Sequence, residues 1–481
     1  MSARRKRWDL LPGAPPDFAR RVGRSPLLAT LLYQRQLRDP DAVRGFLEAG
    51  YRGGLHDPLL MKGMPEASAR IAHAIAEGEP MAVYGDFDTD GVTAVTLLVQ
   101  ALTAMGGKIR PYIPHRTREG YGLNNLAIEK LAEDGVRLLI TVDCGISNVD
   151  EVAQAVSLGL DVIVTDHHHP PAELPAALAV INPKQPGCAY PYKQLVGVGI
   201  AFKLVQALAK RGLQMGALRG RDLLDVVALG TVTDMGPLDG ENRVLVKAGL
   251  AALNATQRPG LKALVEVSGL TLGKVDSAAI GYMLGPRINA AGRLDNAERA
   301  YELLLADTHA QAKILADELN QTNRARQELT KQVQMAAKAM AEADGRNQRQ
   351  IVVIDGAEFP AGVVGLVAGK LVEEWGRPVL LIERGEETSR GSARSVPGFS
   401  IIDALTGCKE LFVRFGGHSA AAGFTIANEH IPALDARLQA IAAEQLTDEM
   451  LQPSLRVDAE VAFNDLGWEL LADLAQLEPF G

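Results

Sequence analysis

The chain has 481 residues, which is too long for a single hydrophobic core and predicts two to four domains. A content of 47% hydrophobic and 22% charged residues is ordinary for a globular protein, and a net charge of −8 excludes a surface coated in positive charge. Its three cysteines lack metal-type spacing, and no segment has the length and apolarity of a membrane span. We therefore expect a cytoplasmic protein with reduced thiols.

Residues 1–77 are predicted to form a helical N-terminal cap. Strand-like and helical stretches then alternate over residues 78–295, which predicts an α/β domain with a mostly parallel sheet covered on both faces. The predicted strands are Met81–Gly85, Lys108–Ile113, Arg137–Val142, Asp161–Thr165 and Leu178–Ile181. The helices between them are Val92–Met105, Leu126–Asp134, Val149–Leu158 and Gly199–Arg211.

Residues 296–345 contain no proline and only one late glycine, which predicts a linker of one or two long helices. A second α/β domain is expected at residues 346–450, and a further β unit begins within residues 451–481. The elements predicted in these last two segments are strands Ile351–Ile354 and Pro378–Ile382, helix Gly362–Glu374 and strand Leu455–Val461.

Acidic residues cluster where the first predicted strand ends. Asp86, Asp88 and Asp90 occupy alternate positions, so all three carboxylates could lean to one side as the strand leaves the sheet. Three like charges at such short range repel one another unless a cation lies between them. A solvated acidic turn is the alternative for an isolated pair of such residues.

Further ligand-type residues follow other elements. Asp143 follows one predicted strand, the run Asp166-His167-His168 follows the next, and Asp234 ends a helix-like apolar run. Ligands of parallel sheets bind beyond the carboxyl ends of the strands, so these groups are expected at one edge. Their number exceeds the needs of one ion, which predicts two divalent ions, Mn2+ or Mg2+, bridged by a shared carboxylate. Such pairs suit phosphoryl chemistry.

At these residues the sequence resembles the DHH phosphoesterase superfamily. Asp166-His167-His168 matches the superfamily signature, and Gly85–Gly91 and Thr141–Gly145 resemble its first and second motifs. The run Phe415–Gly423 resembles the glycine-rich motif of the associated DHHA1 domain. With Gly285–Arg293 between them, the nearest resemblance is to the branch of single-stranded-DNA-specific exonucleases.

The resemblance implies a DHH catalytic domain at residues 78–295, a DHHA1 domain at 346–450 and the apparently truncated start of an OB-like domain at 451–481. It implies a metal-dependent 5′-to-3′ exonuclease that hydrolyses single-stranded DNA to 5′-mononucleotides in recombination and repair. A helicase and a single-strand-binding protein are the implied partners. The alternatives are another DHH phosphodiesterase acting on short oligonucleotides or cyclic dinucleotides, and a non-catalytic DHH scaffold.

The resemblance also implies roles for individual residues. Asp90, Asp143, His167 and Asp234 would hold one ion, and Asp86, Asp88 and Asp143 the other. Asp143 would bridge the ions, and His168 would lie nearer the substrate phosphate. Asp166 would orient a histidine, as metal-bound imidazoles usually require.

Several residues are candidates for binding the nucleic acid. Arg116 and Tyr121 lie in a glycine-containing loop, for which a plain surface loop is the alternative. Arg287 and Asn289 could grip phosphates, while Arg293 could instead pair with Asp295. In the glycine-rich motif, backbone N–H groups near Gly417 could cradle an anion together with His418 and Ser419. Arg390 could extend that cradle, or its segment could be a strand edge.

Overall fold

The computed structural model describes residues 6–116, 118–294 and 296–480. The chain divides into two compact units. One comprises Pro15–Asn323 together with the segment from Phe463 onwards, and the other comprises Arg324–Ala462 together with the segment that ends at Ala14. Each unit contains a five-stranded sheet with helices, which confirms the mixed α/β fold. The finer division of the chain into five segments stays a prediction.

The bounds of the strands and helices lie close to those predicted. The strands are β1 (Arg7–Leu10), β2 (Pro80–Gly85), β3 (Lys108–Tyr112), β4 (Leu138–Val142), β5 (Asp161–Thr165), β6 (Ala179–Ile181), β7 (Val352–Gly356), β8 (Val379–Glu383), β9 (Thr388–Arg394), β10 (Phe412–His418), β11 (Ala421–Ala427) and β12 (Ser454–Val457). The helices are α1 (Phe18–Val22), α2 (Pro26–Gln34), α3 (Pro40–Glu48), α4 (Met64–Glu77), α5 (Thr89–Ala104), α6 (Asn125–Glu133), α7 (Val149–Ser157), α8 (Gly197–Lys210), α9 (Leu224–Thr233), α10 (Gly240–Asn254), α11 (Pro259–Val267), α12 (Ser277–Ala279), α13 (Gly285–Leu294), α14 (Glu298–Leu304), α15 (His309–Ala343), α16 (Ala361–Trp375), α17 (Ile401–Thr406), α18 (Ile431–Gln445) and α19 (Trp468–Ala475).

The sheet of the first unit is parallel throughout, with the order β3-β2-β4-β5-β6. Its central strands β2, β4 and β5 are mostly apolar and buried along nearly their whole length, as expected of strands covered on both faces. The ends of three strands lie level, because Gly85 pairs with Val142 and Val142 pairs with Thr165. The residues that follow these three strands therefore leave the sheet at one edge.

The sheet of the second unit has the order β10-β11-β9-β8-β7. Its β7 and β8 are parallel and the remaining pairs are antiparallel. Over one face lie the apolar side chains of α16 together with Val333, Ala337 and Ala341 of α15. The other face packs on α17 and α18 through residues such as Ile401 and Leu438.

The segment predicted as a helical linker contains α14 and α15, and the boundary between the units falls within α15. The strand predicted at Leu455–Val461 is shorter, and as β12 it pairs in parallel with β1. Among the described residues after Val457 there is no further strand, and α19 follows instead. The start of an OB-like unit is therefore not confirmed. None of the described helices is both long and apolar enough to cross a bilayer.

Candidate metal centre

The first acidic motif changes from strand to helix within three residues. Asp86 directly follows β2, whereas the Asp88 carboxylate caps α5 by accepting hydrogen bonds from the backbone N–H groups of Asp90 (2.9 Å) and Gly91 (3.1 Å). The helix consequently begins at Thr89, earlier than predicted, and places Asp90 in its first turn. The predicted alternation of three carboxylates along an extended strand is therefore wrong, although the three still lie at the same edge.

A second helix terminus fixes the Asp90 carboxylate. Its two oxygens accept hydrogen bonds from the N–H groups of Gly197 (2.6 Å) and Val198 (2.8 Å) at the start of α8. A Cβ atom on Gly197 would lie 2.6 Å from Cβ of Asp143 and 2.9 Å from Oδ2 of Asp90. Gly197 was not among the predicted site residues, although the pattern Val196-Gly197-Val198-Gly199 before a helix was a usable signal.

Asp143 adopts a left-handed backbone conformation, with φ 60°, directly after β4. Only glycine, asparagine and aspartate visit this region readily. Its N–H donates to the Thr165 carbonyl (3.1 Å), so the sheet holds the strained residue in place. As a result, Oδ1 of Asp143 lies 3.0 Å from Nε2 of His167.

His167 is the point at which the ligand-type residues converge. Its Nε2 also lies 3.7 Å from Oδ2 of Asp234 and 4.0 Å from Oδ2 of Asp90. Three sets of residues bring their ligand atoms within 4.8 Å of one another: Asp90 with His167 and Asp234, Asp86 with Asp88 and Asp143, and Asp143 with His167 and His168. Asp143 thus connects the predicted ligands of both ions.

Three buried atoms of this cluster have no hydrogen-bond partner within the described ranges: Oδ1 of Asp86, Oδ1 of Asp143 and Nε2 of His167. Leaving such atoms unpaired is costly, so each one calls for an explanation. Carboxylate oxygens and imidazole nitrogen are the ligands that Mn2+ accepts, and Mg2+ shares the preference for oxygen. The donor set therefore fits divalent cations.

Burial dominates the electrostatics of the cluster. Burial, followed by the neighbouring carboxylates, raises the pKa values of Asp86, Asp90 and Asp143 well above the usual range. The same causes raise the pKa of Asp234 to about 7. Burial, followed by the charge of His168, lowers the pKa of His167 to about 3, so this imidazole is neutral at physiological pH.

Asp166 orients His168 and not the candidate ligand His167. Oδ1 of Asp166 lies 2.7 Å from Nδ1 of His168 and accepts hydrogen bonds from the N–H groups of both histidines, while Oδ2 accepts one from Ile146. Burial is the largest single influence and opposes the charged form of His168. The hydrogen bond with Asp166 and the charges of Asp166, Asp234 and Asp86 together outweigh it, so the pKa of His168 is raised. The orienting contact therefore falls on His168.

Lys184 is a further residue that the sequence analysis missed. Its Nζ donates a hydrogen bond to the backbone carbonyl of His167 (2.5 Å), and the side chain of Asn182 donates to the carbonyl of His168 (2.9 Å). Asn182 directly follows the predicted strand that ends at Ile181, the same signal that identified Asp143 and Asp166, and Lys184 lies two residues beyond Asn182.

Two of the predicted nucleic-acid-binding residues lie beside this centre. The hydroxyl of Tyr121 lies 3.2 Å from Nδ1 of His168 and 3.4 Å from the carbonyl oxygen of Asp143. The guanidinium of Arg116 lies 4.7 Å from the centroid of the Phe87 ring. Burial lowers the pKa of Arg116, and the charges of Asp86 and Asp88 oppose that shift, so the arginine lies within reach of the acidic cluster.

Arg287 and Asn289 hold α13 in place through contacts inside the protein. Arg287 donates to the Met283 carbonyl (2.6 Å) and to Oδ1 of Asn320 (3.1 Å). Oδ1 of Asn289 accepts hydrogen bonds from the N–H and the hydroxyl of Thr89, both at 2.9 Å. Asn289 thereby supports the first acidic motif. Asp295, the alternative partner considered for Arg293, lies outside the described residues.

The glycine-rich motif of the second unit forms a hairpin and not a loop. Gly417 and His418 belong to β10, and Ser419 lies in the turn to β11, where its carbonyl accepts from the N–H of Ile401 (2.9 Å). A Cβ atom on Gly417 would lie 2.4 Å from the carbonyl oxygen of Ala421, so close strand approach explains this glycine. The segment of Arg390 is a strand within the sheet.

Known proteins resemble the chain over most of its length. Residues 80–231 match the model of the DHH family N-terminal domain, and residues 348–444 match the DHHA1 domain. RecJ of Bacillus subtilis, a single-stranded-DNA-specific exonuclease, is 40% identical over the whole chain, which spans 61% of that protein's length. RecJ of Dickeya dadantii is 37% identical, over 95% of this chain and 81% of the relative.

A solved structure gives the same comparison in three dimensions. RecJ of Thermus thermophilus in complex with Mn2+ superposes with a TM-score of 0.85 at 33% identity, over 99% of this chain and 68% of that one. A second structure of the same protein contains Mg2+.

Proposed function

The chain belongs to the RecJ family of single-stranded-DNA-specific exonucleases, and from this premise we propose that it removes 5′-mononucleotides processively from the 5′ end of single-stranded DNA. The observation that carries the proposal is that three buried ligand atoms, on Asp86, Asp143 and His167, have no hydrogen-bond partner among the residues that the structure describes. Its proposed partners are a helicase and a single-strand-binding protein. Its proposed processes are DNA recombination and repair, and its proposed compartment is the cytoplasm.

The ligand set is proposed to hold two ions, Mn2+ or Mg2+. One ion would be held by Asp90, Asp143, His167 and Asp234, and the other would be held by Asp86, Asp88 and Asp143. Such a pair of ions, when bound, supplies a water molecule of lowered pKa and stabilises charge on the phosphate oxygens. The protein's part is to keep these side chains ionised or neutral as required: His167 is neutral, and the N-terminus of α8 holds the carboxylate of Asp90.

His168 is proposed to contact the scissile phosphate. Its imidazole is held by Asp166, and its raised pKa favours the protonated form, which donates hydrogen bonds to anionic oxygen. Asp166 would act only by fixing the position and charge of this ring. Tyr121 lies against the same imidazole, with ring centroids 5.8 Å apart, and is 52% exposed, so it can contact the terminal nucleotide.

Arg116 is proposed to grip a phosphate beside the metal centre, since Phe87 supports its guanidinium from one side. In the second unit the cross-strand register places Arg390, Thr425 and Arg414 on one face of the sheet. His418 lies on that same face, and both His418 and Arg390 are exposed. We propose that this face contacts the sugar–phosphate backbone, with Gly416, which lies on the same face, leaving room for it.

The test compares 5′-labelled and 3′-labelled oligonucleotides, single- and double-stranded, incubated with Mn2+ or Mg2+. We expect the 5′-labelled single strand to release labelled mononucleotide at the earliest times. The 3′-labelled single strand should shorten from its 5′ end, and no reaction should occur in EDTA. A dinucleotide substrate is the control for the alternative phosphodiesterase activity. Turnover of the dinucleotide alone, or release of the 3′ label first, would contradict the proposed function.

A further inference from the structure

The residue after the candidate ligand Asp234 is an exposed apolar side chain in a fixed, unfavourable backbone conformation. Met235 is 87% exposed and has φ 58°, a region that side-chain-bearing residues rarely adopt. Its N–H donates to the Val232 carbonyl (3.2 Å), and the N–H of Gly236 donates to the Thr231 carbonyl (3.1 Å). This cap of α9 holds the methionine in solvent beside the metal centre.

A second exposed side chain with a large apolar surface lines the same cavity as Met235. Tyr282 is 85% exposed and lies in the π-helical stretch Ile280–Leu284 that joins α12 to α13. Such stretches are rare and occur often at functional sites. The stretch is pressed against the end of α9, since a Cβ atom on Gly285 would lie 1.9 Å from Cγ2 of Thr233. The position of the tyrosine is thus fixed relative to Asp234.

Met235 and Tyr282 line a cavity of about 1160 Å³ within the first unit. Apolar residues form much of its wall, including Val232, Pro237, Leu250, Val275, Pro479 and Phe480. Its wall contains charged residues of both signs: the cations Arg24 and Lys247 and the anions Glu48, Asp276 and Glu478. Because these charges do not sum to a positive potential, the cavity suits a flat, weakly polar group better than a phosphate.

We propose that Tyr282 and Met235 form a nucleobase-binding subsite for a nucleotide next to the one at the metal centre. The inference rests on the proposed function and deepens it. Met235 directly follows the candidate ligand Asp234, so a strand that leaves the metal centre on that side passes the methionine. Aromatic stacking and the polarisable thioether accept every base, as an enzyme that reads no sequence requires.

The test is a cycle of protein variants and abasic substrates. Binding of a labelled single strand is compared with that of strands carrying one abasic analogue at each of the first four positions from the 5′ end. We expect one abasic position to weaken binding to the wild-type protein about tenfold, the size of one stacked base. Tyr282→Ala should weaken binding of the intact strand about as much and show no further loss at that position. Met235→Asn, which tolerates the left-handed backbone, should reduce sensitivity at the same position.

Two control variants make the cycle specific. Tyr282→Phe keeps the stacking ring and should restore the wild-type pattern. Leu126→Ala removes another side chain, 79% exposed, from the same unit and should also keep that pattern. The subsite would be overturned if the loss of affinity from Tyr282→Ala simply added to the abasic loss at every position. Unchanged affinity of Tyr282→Ala would overturn it as well. Either result would indicate that Met235 and Tyr282 instead contact a protein partner or a second copy of this chain. A wild-type protein that cleaves no single strand in Mn2+ would overturn the proposed function as well.

Discussion

Nε2 of His167 lies 3.0 Å from Oδ1 of Asp143, and among the described residues neither atom has a hydrogen-bond partner. Burial above all keeps the imidazole neutral, by lowering the pKa of His167 to about 3. In the tautomer that can bind a metal through Nε2, the lone pair of this nitrogen faces a carboxylate oxygen, which is unfavourable unless a cation lies between or beside the two atoms. The pair therefore indicates a shared ion more strongly than either residue does alone.

We expect Asp143→Asn to abolish cleavage while preserving the fold. Asparagine also tolerates the left-handed backbone at φ 60°, so the substitution removes charge without adding strain. The rate should fall by more than the roughly 10- to 100-fold loss typical of groups that only orient a ligand. Cleavage of labelled single strands in Mn2+ measures the rate, and circular dichroism checks the fold. A rate within a few-fold of the wild-type value would contradict the bridging role.

We expect stabilisation by Mn2+ to grow as the pH rises from about 5.5 to 8. The folded pKa of Asp234, about 7, lies above its ordinary value of 3.8, and those of Asp86, Asp90 and Asp143 are also raised. The metal-free protein thus loses stability as pH rises through these values, because its folded state binds the protons more tightly. Ions bind the ionised groups and offset that loss.

Thermal unfolding with EDTA and with Mn2+, followed across this pH range, measures that stabilisation. Asp234→Asn is the matched control and should reduce the increase with pH. A Mn2+ effect on the melting temperature that does not change with pH would argue against a metal site built from these acids.

We expect Asp166→Asn to lower activity about 10- to 100-fold, because it weakens the orientation and the charge of His168. Since Asp166 raises the pKa of His168, the activity of the variant should also begin to fall at a lower pH than that of the wild type. His169→Gln is the control, since His169 is exposed. Equal effects of the two substitutions on the pH profile would contradict this role for Asp166.

The sequence predicted which residues lie at the carboxyl edge of the first sheet, but not the long-range hydrogen bonds that hold those residues in place. Strands β2, β4 and β5 are apolar runs followed by acids, so periodicity alone placed Asp86, Asp143 and Asp166 together. The bonds from Gly197 to Asp90 and from Asn289 to Thr89 join residues more than a hundred positions apart, and no local pattern records such pairs. The hairpin form of the glycine-rich motif was not predicted, because a glycine that permits close strand packing looks, in sequence, like one that exposes backbone N–H groups.

We expect Arg116→Gln to weaken binding of single strands and to reduce the salt dependence of that binding by about one phosphate contact. Phe87 supports the guanidinium beside the metal centre, where the phosphate of the proposed substrate would lie. Arg44→Gln is the control, because it removes the same charge from an exposed residue that faces Asp41 on α3. Measuring affinity at several salt concentrations gives the slope for each variant. Equal slopes for Arg116→Gln and the wild type would remove this arginine from the phosphate contacts.

We expect Arg243→Met to release the C-terminal segment and destabilise the first unit by about 3 kcal/mol or more. The side chain of Arg243 is buried and donates hydrogen bonds to the carbonyls of Phe46, Gln476, Leu477, Glu478 and Pro479. Methionine would leave these acceptors unpaired. Urea denaturation measures the loss, and faster hydrogen exchange at residues 468–480 should accompany it. Lys247→Met is the control, since Lys247 also donates to two carbonyls but from an exposed position, where water can replace it. If both variants lost a similar free energy of unfolding, the burial of Arg243 would add nothing to the stability of the C-terminal segment. This segment supplies Pro479 and Phe480 to the wall of the proposed base subsite.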